Sequence, residues 1–370
     1  MSETATPVVA DQAARELLVD IVDIPSVTRE ERACAERLVE FFESHGREAW
    51  LDDVGNVRAP ADDGVLLTSH IDTVPGDIPV RVEETSPDDA NYGGGRTTDA
   101  DTDQVLWGRG SVDAKGPLVA MAVAAVRTGA SFAGVVGEEV DSTGGRHLVE
   151  TRERAPDAVV NGEPSGWDGI TLGYRGLIAG RYVATSESGH TSRPDPNAIQ
   201  DATAWWSAVE DEFSTDEWEP VFERVTAKPT NIDGGLTEDG LSVECTMDVQ
   251  LRVPPSMTAD EVMEIADGHL GGRGTVHWKD KVEPVMQSPR TPVARAFRAA
   301  IRSEGGDPRL LRKTGTSDMN VYAQAWDCPM VTYGPGDSDL DHAPDEHLPL
   351  SEYDRSVSVL ETVAERLLED

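Results

Sequence analysis

The residues best suited to chemistry are two adjacent acids, Glu138 and Glu139, which follow the apolar run Phe132 to Val136 and a glycine, Gly137. Such a run predicts a buried strand, and two acids at its end are costly unless a cation sits there or one of them moves a proton. Other buried runs end in the same way. Gly64 to Ser69 leads into His70, with Asp72 two residues on, and Ala158 to Val160 leads into Glu163. Asp113 falls between the apolar stretch at Val105 to Trp107 and the small-residue helix expected from Leu118 to Thr128, with Pro117 able to occupy its first position. A late turn carries Asp341-His342. Taken singly, each has a plainer reading, as a surface histidine at a strand end or an acid at a helix N-terminus. Together, His70, Asp113, Glu139, Glu163 and His342 make a nitrogen and carboxylate set that suits Zn²⁺ or Co²⁺ rather than a Ca²⁺ cage. Five ligands exceed what one catalytic zinc needs and fit two ions sharing one carboxylate. Glu138, beside a ligand and not needed as one, is then the natural general base.

The elements that position these residues alternate strand and helix up to Ser165, which predicts a largely parallel sheet with its site beyond the carboxyl ends of the strands. Two helices are expected at Asp11 to Val22 and Arg29 to Ser44, with Thr28 as N-cap, and a hairpin at Trp50 to Arg58 turning at Gly55-Asn56. Asp77 to Asp103 reads as an acidic loop; its Gly93-Gly94-Gly95 lacks the lysine and hydroxyl of a phosphate loop. The pattern then changes. A long strand from Ile170 to Ser186, a helix at Asn197 to Phe213, strands at Val221 to Asn231 and Leu241 to Val253, a helix at Thr258 to His269 and a strand at Gly274 to Trp278 give the β-α-β-β-α-β order of a ferredoxin-like unit. The expected organisation is an α/β catalytic domain at 1–169 and 285–370, closed by a last helix from Leu350 to Leu368, with a lid or dimerisation domain inserted at 170–284.

Composition bounds the function classes. The 370 residues carry 69 acids against 32 lysines and arginines, a net charge of −37, and only five lysines. The acids are spread along the chain, which leaves basic partners or adaptation to high salt as explanations. In molar salt the screening length falls to ~3 Å, so this self-repulsion is largely cancelled, and a halophilic protein is the favoured reading. No basic stripe exists for nucleic acid. Cys34, Cys245 and Cys328 form neither a disulfide framework nor a thiolate zinc site. With no apolar run longer than Leu118 to Val126 and an acidic N-terminus, a soluble cytoplasmic protein with no membrane span is expected. His45, His147, His269, His277 and His347 lack partner motifs and read as structural or solvated.

Four motifs in order resemble the co-catalytic zinc aminoacylase, deacylase and carboxypeptidase family, which includes acetylornithine deacetylase. They are His70-x-Asp72-Thr73-Val74-Pro75, Gly108-Arg109-Gly110-Ser111-x-Asp113-x-Lys115-Gly116, Gly137-Glu138-Glu139 and Asp341-His342-x-x-Asp345-Glu346. The resemblance covers nearly the whole chain. It implies two Zn²⁺ per subunit, with Co²⁺ as an alternative, and Asp113 bridging them. His70 and Glu163 would complete one site, Glu139 and His342 the other. It further implies that Asp72 orients His70, that Glu138 deprotonates the attacking water, and that the peptide after Asp113 is cis. Gly189-His190-Thr191 resembles the segment whose histidine reaches a partner subunit's active site, implying a homodimer. Arg175, Asn231 and Arg252 match substrate-contacting positions, with Arg252 pairing with a carboxylate.

At a finer level, Lys313-Thr314-Gly315-Thr316-Ser317-Asp318-Met319-Asn320 and Asn161-Gly162-Glu163-Pro164-Ser165 look like a branch that releases lysine or ornithine from the C-terminal glutamate of an acidic amino-group carrier protein. Thr316, Ser317 and Asp318 then join the substrate-binding set. The other readings are a deacylase acting on N-acetylornithine or succinyl-diaminopimelate, and a catalytically dead carrier-binding scaffold, which the complete ligand set disfavours.

Overall fold

The computed structural model describes residues 9–85, 103–214 and 218–369. The Gly93-Gly94-Gly95 stretch and most of the expected acidic loop lie outside them. The chain divides into two compact units. The first comprises 1–172, 287–311 and 317–370, and the second 173–286 with 312–316. The short return of 312–316 to the second unit was not foreseen.

In the first unit a mixed sheet is ordered Trp50–Leu51, Val57–Ala59, Ala130–Val135, Asp62–His70, Val159–Gly162, Met330–Thr332 and the start of Gly169–Tyr174. Its centre is parallel: Asp62–His70 pairs in parallel with both Ala130–Val135 and Val159–Gly162, and Met330–Thr332 continues that direction. The central strands are buried on both faces, as parallel strands covered by helices must be. Helix Lys115–Thr128 lies on Asp62–His70 and Ala130–Val135, and Leu350–Glu369 and Asp11–Asp23 cover it. Every residue from Lys115 to Val126 is buried, which is why small side chains fill this helix. Leu350–Glu369 shows the complementary pattern of an amphipathic helix, burying Leu350, Tyr353, Val357, Leu360 and Val363 at spacings of three and four.

The second unit is an antiparallel sheet in the order Thr226–Leu236, Ser242–Val253, Gly176–Glu187, Thr275–Val282, with helices Ala198–Glu212 and Ala259–Gly268 packed against it. Numbered within the unit, that order is 2-3-1-4 in a βαββαβ chain, the ferredoxin-like arrangement. Both helices open with capping boxes, Asn197 with Gln200 and Thr258 with Glu261. Tyr182 stacks on Trp205 at 4.8 Å in its core.

Several elements differ from expectation for local reasons. The single strand expected from Ile170 is two, Gly169–Tyr174 and Gly176–Glu187, separated at Arg175 where the chain leaves one sheet for the other. Residues 221–223 form a 3-10 turn and the strand begins at Thr226, extending to Leu236. Pro117 sits in the third position of a helix that starts at Lys115; the amides of the first turn have no acceptor in the helix, so proline is tolerated there as well. Residues 81–85 of the expected acidic loop form a strand paired with Asp103–Trp107. Thr28 caps no helix: Arg29 has a φ of +78°, the helix begins at Arg32, and the Thr28 hydroxyl turns elsewhere.

Candidate metal centre

All residues of the expected centre belong to the first unit. His70 ends a central strand, Glu163 follows the neighbouring Val159–Gly162, and Glu138-Glu139 form the turn after Ala130–Val135. Asp113 precedes helix Lys115–Thr128, and its peptide bond to Ala114 is cis. His342 lies in the turn before His347–Pro349 with a φ of +61°, a left-handed backbone unusual for a non-glycine residue. The fold gathers these five into two groups that share Asp113: His70, Asp113 and Glu163, and Asp113, Glu139 and His342. Asp113 Oδ1 lies 3.1 Å from His70 Nε2, and its Oδ2 lies 3.3 Å from His342 Nε2. Glu163 Oε1 is 4.0 Å from His70 Nε2, and Glu139 Oε2 is 3.0 Å from His342 Nε2. One carboxylate thus turns an oxygen toward each group, as a bridging ligand would.

The electrostatics fit cations at this place. Burial and the charge of Glu163 push the Glu138 carboxyl well above the usual range. Burial and the charge of Asp113 push Glu139 up to about 7. Burial opposes a charged imidazole at His70, yet hydrogen bonds to Asp113 and Asp72 hold its pKa well above ordinary; the Asp113 hydrogen bond holds His342 at about 9. So many acids crowded into low dielectric, with both histidines drawn toward the protonated state, mark a negative site that lacks counter-charge in the protein itself. Two divalent ions held by imidazole and carboxylate would supply that charge.

Asp72 does more than sit behind His70. His70 Nδ1 is 2.9 Å from the Asp72 carbonyl and 3.5 Å from its carboxylate. The carboxylate accepts the backbone N–H of Glu138 at 3.1 Å and of Glu139 at 3.2 Å, and the Thr28 hydroxyl at 2.8 Å. Burial disfavours its ionised form, but the His70 hydrogen bond and these donors keep its pKa below normal. Thr28 therefore belongs to the site as a support that sequence reading took for a helix cap. Asn56, fully buried, is a second missed support: it accepts Val136 N–H at 3.0 Å and donates to the Gly144 carbonyl at 3.0 Å. A Cβ on Gly144 would lie 2.4 Å from Asn56 Oδ1, so this approach requires glycine.

Ser317 and Asp318 also lie in the first unit. Ser317 caps helix Asp318–Ala325 and forms a capping box with Asn320, so these residues have a local structural task whatever they touch. Asp318 is 1% exposed, and its carboxyl is so close to Gly145 that a Cβ there would meet it at 2.8 Å. Burial pushes it up to about 6, against a hydrogen bond from Ser142.

The remaining expected residues belong to the second unit. Arg175 is buried; its guanidinium donates to the carbonyls of Thr314 and Val221 and to the Thr226 hydroxyl. Burial first, then the charges of Arg252 and Arg224, lower it to about 10. Arg252 reaches Thr316 Oγ1 at 3.5 Å, so three arginines and Thr316 cluster in a chain of net charge −37. Asn231 is exposed on the edge strand Thr226–Leu236, and His190 is exposed with Nδ1 2.8 Å from Ser192 Oγ.

The fold and this shared-carboxylate centre define a metallo-hydrolase. The chain belongs to peptidase family M20/M25/M40, whose model matches residues 66–366. The M20 family metallo-carboxypeptidase Sso-CP2 from Sulfolobus solfataricus shares the fold at a TM-score of 0.73 and 18% identity, over 96% of this chain and 99% of that one. Nearer in sequence is the LysW-lysine hydrolase of Deinococcus radiodurans, 38% identical over 98% of this chain and 99% of the relative. A protein of Thermococcus kodakarensis named as a LysW-lysine/LysW-ornithine hydrolase, with that activity assigned provisionally, is 36% identical over 95% of this chain and 91% of its own. No helix among the described residues is long and apolar enough to cross a membrane.

Proposed function

We propose that the protein hydrolyses the amide that joins lysine or ornithine to the C-terminal glutamate of an amino-group carrier protein, in lysine or arginine biosynthesis. The observation that carries the chemistry is Asp113 presenting one oxygen to each of two ligand groups; the full-length similarity to LysW-lysine hydrolase supports the substrate. His70, Asp113 and Glu163 would hold one ion and Asp113, Glu139 and His342 the other, with Zn²⁺ or Co²⁺ suited to the donors. Such ions supply Lewis acidity toward a carbonyl oxygen and toward water. Glu138 takes a proton from the attacking water as its oxygen bonds to the scissile carbonyl carbon. It then returns that proton to the nitrogen as the C–N bond breaks, leaving a carboxylic acid and a free amine.

In the same reading the protein is a cytoplasmic homodimer. His190 of one subunit donates to the oxyanion in the other, which its exposed position permits. Arg252 and Arg175, with Thr316, bind the carboxylate of the amino acid, and Asn231 and Ser317 complete the substrate contacts. Asp318 belongs to the same substrate-binding set, and its charge is felt at Glu138. The acid excess is adaptation to high salt, so melting temperature rises from dilute buffer to molar KCl.

The test is turnover of carrier-linked lysine and carrier-linked ornithine against free N-acetylornithine by the metal-loaded enzyme. Release from the carrier alone supports the proposal; cleavage of N-acetylornithine alone makes the protein a small-molecule deacylase. Mixing subunits inactivated at Glu138 with subunits inactivated at His190 restores activity if sites are shared across the dimer, and restores none if they are not.

A further inference from the structure

The proposed reaction gives no task to Glu346, a fully buried acid four residues beyond His342. Its carboxylate is saturated with donors from the opposite loop. Oε1 accepts the backbone N–H of Val112 at 2.8 Å and of Asp113 at 3.0 Å. Oε2 accepts Gly110 N–H at 3.0 Å and Arg109 Nη1 at 2.9 Å. The Glu346 carbonyl also accepts Gly108 N–H at 3.4 Å. Three amides converge on one carboxylate because Gly110 takes a φ of +82°, where a Cβ would stand 2.8 Å from Thr73 Cγ2. A charged carboxylate is costly to bury unless it is fully hydrogen-bonded, so the arrangement holds only while both loops keep this register.

The loops so joined carry Asp113 and His342. His70 and Glu163, by contrast, leave adjacent parallel strands and need no such tie. We propose that Glu346 is a positioning residue that locks the Asp113 loop to the His342 turn and thereby assembles the second ion site, Asp113, Glu139 and His342, while the site of His70 and Glu163 depends on it far less. The inference rests on reading these residues as ligands. Removal of the clamp lets the Asp113 backbone and the strained His342 turn relax independently, so the loss falls on the ion they share.

The experiment is calorimetric titration of metal-stripped full-length protein with Zn²⁺, comparing wild type with Glu346→Gln, alongside melting curves. The amide keeps the shape but offers one acceptor oxygen where the carboxylate offers two. The expected result is two ions in the wild type, and in the variant a second-ion affinity lowered by about tenfold or more with the first changed by less than about threefold. Two ions with unaltered affinities in the variant, or both weakened equally, would overturn the inference while leaving the ligand assignment standing. A wild type that binds fewer than two ions would instead bring down the ligand assignment and this inference with it. If Glu346→Gln does not fold, Arg109→Gln replaces it. That variant removes one side-chain donor, and the same selective loss, about threefold, is expected; no selectivity there counts against the clamp.

Discussion

The two halves of the metal centre are built differently. His70 and Glu163 ride on neighbouring strands at the middle of the sheet, and the His70 side chain is 1% exposed. Glu139 and His342 ride on turns, and the His342 side chain is 52% exposed. What the sheet does for the first half, two buried carboxylates do for the second. Asp72 holds the Glu138-Glu139 turn by its amides, and Glu346 holds the Asp113 loop to the His342 turn. A strand's backbone ladder sets where its terminal residue stands, with Asp72 left to orient the His70 ring, whereas a turn must be pinned along its backbone by side chains that reach it. In the proposed reaction the proton is thus handled on the half that leans more on side-chain support.

The largest effect expected is at Glu138, on the turn-borne half. Glu138→Gln lowers turnover by about 10²–10⁴-fold while both ions remain bound. Turnover close to normal with metal content intact would remove Glu138 from the proton's path.

Next come the two histidines, which compare the halves directly. In metal-stripped protein His70→Ala lowers stability by about 1–3 kcal/mol, because it removes a buried hydrogen-bond partner of Asp113. His342→Ala, at a half-exposed side chain where solvent screens its pairs with Asp113 and Glu139, lowers the melting temperature by less. With metal restored, His342→Ala binds one ion fewer. Equal losses of stability in the two variants would show that the halves are not built differently after all.

Asp318, a buried acid whose charge is felt at Glu138, tests whether crowded acid is a burden without metal. Its carboxyl is raised to about 6, above the unfolded value, so ionisation disfavours the folded state. Its contribution to stability is present below pH ~4 and is lost as pH rises through 6. Asp318→Asn should therefore stabilise metal-stripped protein by on the order of 1 kcal/mol at pH 8 and by almost nothing at pH 4. A variant no more stable than wild type at pH 8 would refute the burden.

The smallest effect is at Thr28. Thr28→Val removes the 2.8 Å bond to Asp72, and about 0.5–1.5 kcal/mol of support is lost from the carboxylate that holds the Glu138-Glu139 turn. A few-fold weaker second ion with an unchanged first, read by the same titration, supports the division; an equal shift in both argues against it.

The ligand types were legible because each follows a buried apolar run or sits in a short motif, and strand periodicity places such residues at strand ends. Of the supports, Asp72 was legible beside His70 and the others were not. Thr28 stands where a helix cap belongs, and only the left-handed backbone at Arg29 frees its hydroxyl for Asp72. Glu346 closes the motif Asp341-His342-x-x-Asp345-Glu346, but the motif names a residue and not the loop its carboxylate holds. A further signal is that it directly precedes the buried strand His347–Pro349, a place where an unpaired charge is costly. The break at Arg175 was hidden because the residues on both sides are equally strand-like.

By itself, then, the sequence determined the alternation of strand and helix, the ferredoxin-like order of the second unit and the donors of a two-ion site, since these depend on periodicity and residue type. Which oxygen of Asp113 turns to which histidine, and which acids hold turns rather than ions, only the tertiary structure decided. Those are matters of distance between separate segments of the chain, 43 residues apart for His70 and Asp113 and 233 for Asp113 and Glu346, and no local pattern encodes them.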